Sequence, residues 1–175
     1  MPDFWNKSTL EPKRQHRWTL NINGLSGVES YIVKKTDKPS FTINETEHSY
    51  FGHKFYYPGQ VTWETITVTL VDPIDPDTSA ALYNALAQSG YRPPLRDGGS
   101  NQLATVSKAS SVAALGPTVT LKQFDANADG TNREVETWML YNPWIKDVKF
   151  GDLDYESDGM VEITLTIRYD WATLA

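Results

Sequence analysis

"VTWETITVTLVD", residues 61–72, alternates with a period of two. Ile66, Val68 and Leu70 point one way, and Thr65, Thr67 and Thr69 the other, as successive side chains of a β-strand must. "PIDPD" stops the run. A second stretch, "MVEITLTIRYDW" (160–171), repeats the pattern. Val161, Ile163, Leu165, Ile167 and Tyr169 form a core face. Glu162, Thr164, Thr166 and Arg168 form the other. Both non-core faces are rich in Thr and poor in charge, unlike a Lys/Glu solvent face. Thr is a good strand former with a small polar tip, so an ordinary solvated sheet would also look this way.

The flanking segments extend the β reading. "RWTLNI" (17–22) alternates and ends in the turn cluster "NGLSG". "SYIVKKT" and "SFTINE" flank "DKP" and read as a hairpin. "TVTLKQF" and "REVETWMLYN" read as strands, and "PWIKDVKFGDLDY" pairs with the last strand across "ESDG". "TSAALYNALAQSG" (78–90) is the main helix. Asp77 or Thr78 caps it, Leu82, Tyr83 and Leu86 share one face, and Gly90 suits its end. "SKASSVAAL" is a short helix stopped by "GP". The predicted fold is mainly β: two packed antiparallel sheets, a sandwich or barrel, with one main α-helix. Residues 1–16 read as an N-terminal arm and 17–175 as a single β domain.

Composition narrows the function. The chain of 175 residues is long enough for a real core, and its 39% hydrophobic content is that of a globular protein. It has no cysteine, which excludes disulfides, thiolate metal sites and thiol nucleophiles. No apolar run reaches the length of a membrane helix, and no signal peptide is visible, so cytoplasmic synthesis without membrane insertion is expected. The net charge of -6 disfavours tight binding to nucleic acid. The short basic run "KRQHR" (13–17) reads as a solvated lead-in to a strand, or as an anion or partner contact.

"DANADGTNREVE" (125–136) places Asp125, Asn127, Asp129, Thr131 and Glu136 at ligand positions of an EF-hand loop, with Gly130 at the sharp turn. The frame is wrong for calcium. The flanks are strand-like rather than helical, Arg133 brings a positive charge to the loop, and no second loop pairs with it. The same letters suit a hairpin turn. No metal site and no cofactor is therefore expected. His48 and His53, five apart, would fall on opposite faces of one strand and make a poor shared metal site. No catalytic motif is present. "DLDYESD" (152–158) could hold a cation or supply an acid/base pair, and reads more simply as a solvated hairpin tip. The chain reads as a non-enzyme.

Three stretches in order carry a further likeness: "HRWTLNINGLSG", "YYPGQVTWETITVTLVD" followed by the helix "SAALYNAL", and the ending "WMLYNPWIKDVKFGDLDYESDGMVEITLTIRYDW". Together they span about residues 16–171, and there the sequence resembles the tail tube proteins of contractile-tailed bacteriophages, a family related to the tubes of contractile injection systems. The resemblance implies a structural virion protein, assembled in the host bacterial cytoplasm. Its partners are further copies of itself in stacked hexameric rings, with tail sheath and baseplate proteins outside and DNA passing without specific binding. It implies that Thr65, Thr67, Thr69, Glu162, Thr164, Thr166 and Arg168 line a smooth, weakly acidic lumen. Arg168 departs from that pattern unless an acid such as Glu162 pairs with it. It also implies that "ETEHSYFGHKFYYPGQ" is an inter-subunit loop, with Tyr50, Phe51, Phe55, Tyr56 and Tyr57 as anchors. Two other readings stay open. One is a baseplate or tube-initiator protein of the same fold. The other is a calcium-dependent β-sandwich binding module using loop 125–136.

Overall fold

A computed structural model describes residues 12–25, 28–93, 105–126 and 132–175. Ten strands and two α-helices follow one another: β1 (Trp18–Ile22), β2 (Val33–Thr36), β3 (Phe41–Tyr50), β4 (His53–Trp63), β5 (Ile66–Val71), α1 (Thr78–Gln88), α2 (Lys108–Leu115), β6 (Thr118–Ala126), β7 (Asn132–Tyr141), β8 (Trp144–Lys149), β9 (Glu162–Arg168) and β10 (Trp171–Leu174). One four-stranded sheet has the order β1-β6-β7-β10, a second the order β2-β5-β9-β8, and β3-β4 form a separate ribbon. Every strand pair is antiparallel.

The two predicted alternating strands are the centre of the second sheet. β5 and β9 pair as Ile66↔Ile167, Val68↔Leu165 and Leu70↔Ile163. All six side chains are fully buried. Each such burial is worth about 1.5–3 kcal/mol by transfer free energy, so this pair is a major part of the core. Leu20, Ile22, Val119, Leu121 and Leu140 of the first sheet pack onto the same core. Tyr169 is buried with the aliphatic residues, and desolvation raises its pKa.

The chain crosses between the sheets at β7–β8 and β9–β10. Asn142 takes a left-handed φ of 53° at the first corner. Its side-chain amide donates to Asp170 at the second, and Lys108 at the start of α2 donates to the same carboxylate. The Lys108 and Asn142 hydrogen bonds lower the Asp170 pKa. Gly24, in the turn after β1, meets the end of α2 with no room to spare: a Cβ there would lie 2.3 Å from the Leu115 carbonyl carbon.

Several expectations change. Residues 61–72 are two strands, because the chain breaks at Glu64–Thr65 after Trp63. The segments around "DKP" do not pair: β2 joins β5, while β3 joins β4. In α1 the inward residues are Thr78, Leu82 and Ala85, and Tyr83 and Leu86 are exposed. The cap is Asp77, whose carboxylate accepts from the Ala80 amide. Val161 is only half-buried, and β10 adds a short strand beyond the expected end. Within the predicted arm, residues 12–16 lie against the domain: Gln123 donates to the Arg14 carbonyl and Lys13 bonds to Glu136.

Glu136 anchors a polar knot at the open end of the core. It is buried, and it accepts hydrogen bonds from Lys13, Lys38 and the Trp138 indole. Burial alone would raise its pKa, but the bonds from Lys13, Lys38 and Trp138 outweigh it and hold the value at about 2, against 4.5 for an ordinary Glu. A folded pKa below the unfolded one gives stability that is present above about pH 4.5 and lost as the pH falls towards 2. Both lysines are half exposed, so screening reduces the gain to on the order of 2 kcal/mol. Glu136→Gln should lose that amount at pH 7 in urea unfolding, and the gap to the unmodified chain should close as the pH falls through that window. A gap that is constant with pH would show that the knot is not held by charge.

Candidate functional site

The non-core face of the second sheet is organised in cross-strand rows. Lys35, Thr69, Thr164 and Lys149 lie opposite one another in one row, and Thr67, Thr166 and Asp147 in the next. The threonines therefore occupy the two central strands, with charges on the flanking ones. Thr65 lies in the break between β4 and β5 and is half-buried, so it stands at the end of this surface. Glu162 is ion-paired with Lys34 of β2 and not with Arg168. Lys34, Lys35, Lys149 and Arg168 are set against Asp147, Glu162 and Asp37, whose amide bonds to Thr67. Four basic side chains thus stand against three acidic ones around the threonines. The lysines come from β2 and β8, which sequence alternation alone does not place beside the threonines.

The aromatic segment is not a loop. It is the upper part of the β3–β4 ribbon, and every residue of both strands except Trp63 is exposed. The ribbon is anchored at its base. Phe41 meets Trp63 edge-on at 5.4 Å, and Trp63 packs towards Tyr169 at 6.2 Å between ring centroids. Beyond Ile43↔Val61 there is a bulge. Gly59 sits there, where a Cβ would lie 2.9 Å from the Asn44 carbonyl oxygen. From the bulge to the tip the ribbon projects roughly 20 Å on strand geometry.

The register divides this arm into two unlike faces. Thr46↔Tyr57, His48↔Phe55 and Tyr50↔His53 share one face; Glu45↔Pro58, Glu47↔Tyr56 and Ser49↔Lys54 share the other. Tyr50, Phe55 and Tyr57 thus act together, whereas Tyr56 lies on the charged side with the Lys54–Glu47 ion pair. His48 and His53 also lie together. The chain turns between them, so they stand on adjacent strands and one face, which corrects the single-strand reading. The tip is Phe51–Gly52, with φ of 47° and 77°. Two positive φ angles are what a tight two-residue hairpin requires. Asn or Gly would satisfy this without strain. Phe51 instead stands left-handed, 83% exposed, with its ring edge-on to Tyr50 at 4.5 Å.

Of the segment 125–136, Asp125 and Ala126 end β6 and residues 132–136 begin β7, and the two strands pair. Asn127, Asp129 and Thr131 lie outside the described residues. Asp125 is bonded to Arg17 at 3.1 Å and faces Arg133, and Glu136 belongs to the lysine knot. Both carboxylates are thus engaged by cations. Among the described residues no group of three or more His, Asp or Glu side chains is arranged to hold a metal ion. The acidic segment 152–158 is an exposed loop between β8 and β9.

No family model matches the chain, and no curated protein matches it in sequence. Solved structures do match along its length. A chain of the anti-feeding prophage tube-terminating cap superposes with a TM-score of 0.66 at 16% identity, covering 100% of this chain and 99% of that one. A chain of the PVC extracellular contractile injection system, in its sheath/tube terminator, gives 0.66 at 16% identity over 96% and 99% of the two chains. A chain of the anti-feeding prophage baseplate gives 0.63 at 16% identity over 95% and 97%. The shared feature is the fold, and it is the tube-related fold of contractile injection particles.

Proposed function

We propose that this chain is a major tail tube subunit of a contractile, phage-like particle: six copies close into a ring, and rings stack into a hollow conduit. The observation that carries the assembly reading is the β3–β4 ribbon. An isolated two-stranded ribbon is marginal in water, and this one bares Phe41, Ile43, Tyr50, Phe51, Phe55, Tyr57 and Val61. Aromatic side chains of this kind are the anchors of protein interfaces. Strain at an exposed Phe51 has no use within one subunit and a clear one as a knob entering a neighbouring copy. The whole-chain likeness to components of contractile particles supports the tube as the assembly.

In this reading the threonine rows of β5 and β9 face the lumen, with Thr67, Thr69, Thr164 and Thr166 at its centre. A strip of short hydroxyls between mixed charges offers a passing polyanion no continuous basic track, so DNA slides without being held. Sheath and baseplate proteins contact the assembly from outside and below. Terminator and baseplate chains share the fold, so a terminating or initiating ring is the second reading. Copy number per particle separates the two.

Negative-stain microscopy across a concentration series should show rings or tubes with an open channel; a chain that stays monomeric at every concentration, alone and with baseplate proteins, overturns the tube reading. Phe55→Ser with Tyr57→Ser should raise the concentration needed for assembly at least tenfold. Phe51→Asn should relieve strain, slowing amide exchange in the free ribbon, and yet weaken assembly. If Phe51→Asn leaves assembly untouched, the knob role is wrong.

The chain has no cysteine, so Thr164→Cys and Thr166→Cys give clean labels. In assembled tubes these positions should react with a small maleimide and resist a polymer-linked one too wide for the channel. Equal rates with both reagents would place them on the outer wall.

A further inference from the structure

The loop between β8 and β9, residues 150–161, has a composition that its own subunit does not explain. It carries Asp152, Asp154, Glu156 and Asp158 and no basic residue. Between the acids it lifts apolar side chains into solvent: Leu153 is 89% exposed, Tyr155 fully so and Met160 73%. Its side-chain hydrogen bonds are local ones, Asp154 accepting from the Glu156 amide and Ser157 from the Gly159 amide. A solvated turn has no need of Leu and Tyr at its apex. An acidic loop with apolar tips is what a charge-guided docking element looks like.

A complementary surface exists on the same chain. A cavity of about 430 Å³ opens beside β2 and is lined by Gln15, Trp18, Lys34, Lys35, Lys38 and Trp138 among others. That volume lies in the range that takes a ligand-sized group. Two indoles give it an apolar interior. At its rim Lys34 and Lys38 are matched by Glu162 and Glu136, Lys13 adds a second cation to Glu136, and Lys35 makes no ion pair among the described residues. The rim therefore carries a surplus of positive charge.

Within one subunit no residue of 150–161 lines the cavity. β2 and β8 are opposite edges of the second sheet, about 14 Å apart at the usual strand spacing. They are nevertheless level with each other. The row Lys35–Thr69–Thr164–Lys149 runs straight across the sheet, and the loop leaves β8 immediately after Lys149. Two copies placed side by side, β8 next to β2, bring the loop of one to the height of the lysines of the next.

We propose that residues 150–161 form an acidic tongue that seats Leu153 and Tyr155 in the lysine- and tryptophan-rimmed cavity of a second copy of this chain. The contact is heterologous, head to tail, and so repeats around a ring. It rests on the self-assembly reading and adds a specific side-by-side interface, separate from the β3–β4 ribbon.

A synthetic peptide of residues 149–161 added to the full chain tests the docking whether or not tubes form. Trp18 and Trp138 line the cavity, so tryptophan emission should change saturably, and salt should weaken the binding. Lys34→Glu with Lys35→Glu should weaken it at least tenfold while far-ultraviolet circular dichroism stays unchanged. A reversed peptide with Lys in place of Asp152 and Asp154 should then bind the reversed chain better than the native peptide does. No saturable change up to about 1 mM peptide, or binding indifferent to both reversals, overturns the tongue. In the full chain, Asp152→Lys with Asp154→Lys should impair assembly, and adding the two lysine reversals should restore it. Absence of any ring or tube from the unmodified chain, with peptide binding intact, would count against the tube reading and not against the docking.

Discussion

The structure depends on the pairing of β5 with β9. Ile66, Val68 and Leu70 meet Ile167, Leu165 and Ile163 with no residue out of step. Because side chains alternate, a slip of one residue would turn the three apolar side chains of the slipped strand into solvent and bury its threonines instead. Burying hydroxyls without partners costs more than any gain from the new contacts. The apolar face therefore fixes the polar one. Thr67 opposite Thr166 and Thr69 opposite Thr164 are consequences of the core register, and the surface they create is as rigid as the core behind it. In the proposed tube, the texture of the wall would be set by that packing.

What the sequence disclosed follows from the range of each interaction. β5, β9, β1, β6 and α1 were legible because their patterns are local: alternation, or a helix with an Asp77 cap and Gly90 after its end. The β3–β4 ribbon was not. Its strands are exposed on both faces, so no hydrophobic alternation marks them, and the segment reads as an aromatic loop. The partnership of His48 with His53 needs the turn at Phe51–Gly52, which periodicity along one strand cannot see. Likewise Lys35 and Lys149 became neighbours of the threonines only through pairing of β2 and β8. Many of the acids of this chain gather in residues 152–158, away from the threonine rows, which net charge alone does not reveal.

The ribbon and the sandwich answer to different demands. In the sandwich Tyr169 is buried in the core and Tyr141 stacks on Trp171. In the ribbon the aromatics are bare and the tip is strained. The anchor at Phe41–Trp63 holds the base, and Gly59 lets the strands bend where a side chain would collide with Asn44. Beyond it, little but cross-strand pairing supports the arm. Local stability must then be low, and the arm can adapt its shape on contact while the core does not. The arm thus presents an aromatic–histidine face and a Glu/Lys face.

Exposed sheet edges make the same point from the backbone. β2 and β8 end one sheet, and β1 and β10 end the other. Unpaired edges invite uncontrolled association, and proteins guard them with charge, brevity or cover. Here β2 has only four residues and carries lysines, while β8 leads into an acidic loop. Both edge strands carry lysines, Lys34 and Lys35 on β2 and Lys146 and Lys149 on β8, and the acids lie in the loop beyond β8. Lysines on both strands oppose unassisted edge-to-edge pairing. In the proposed head-to-tail contact the acids of residues 150–161 are what would offset those lysines, so the guard on the edge would yield only to a partner that brings its own negative charge.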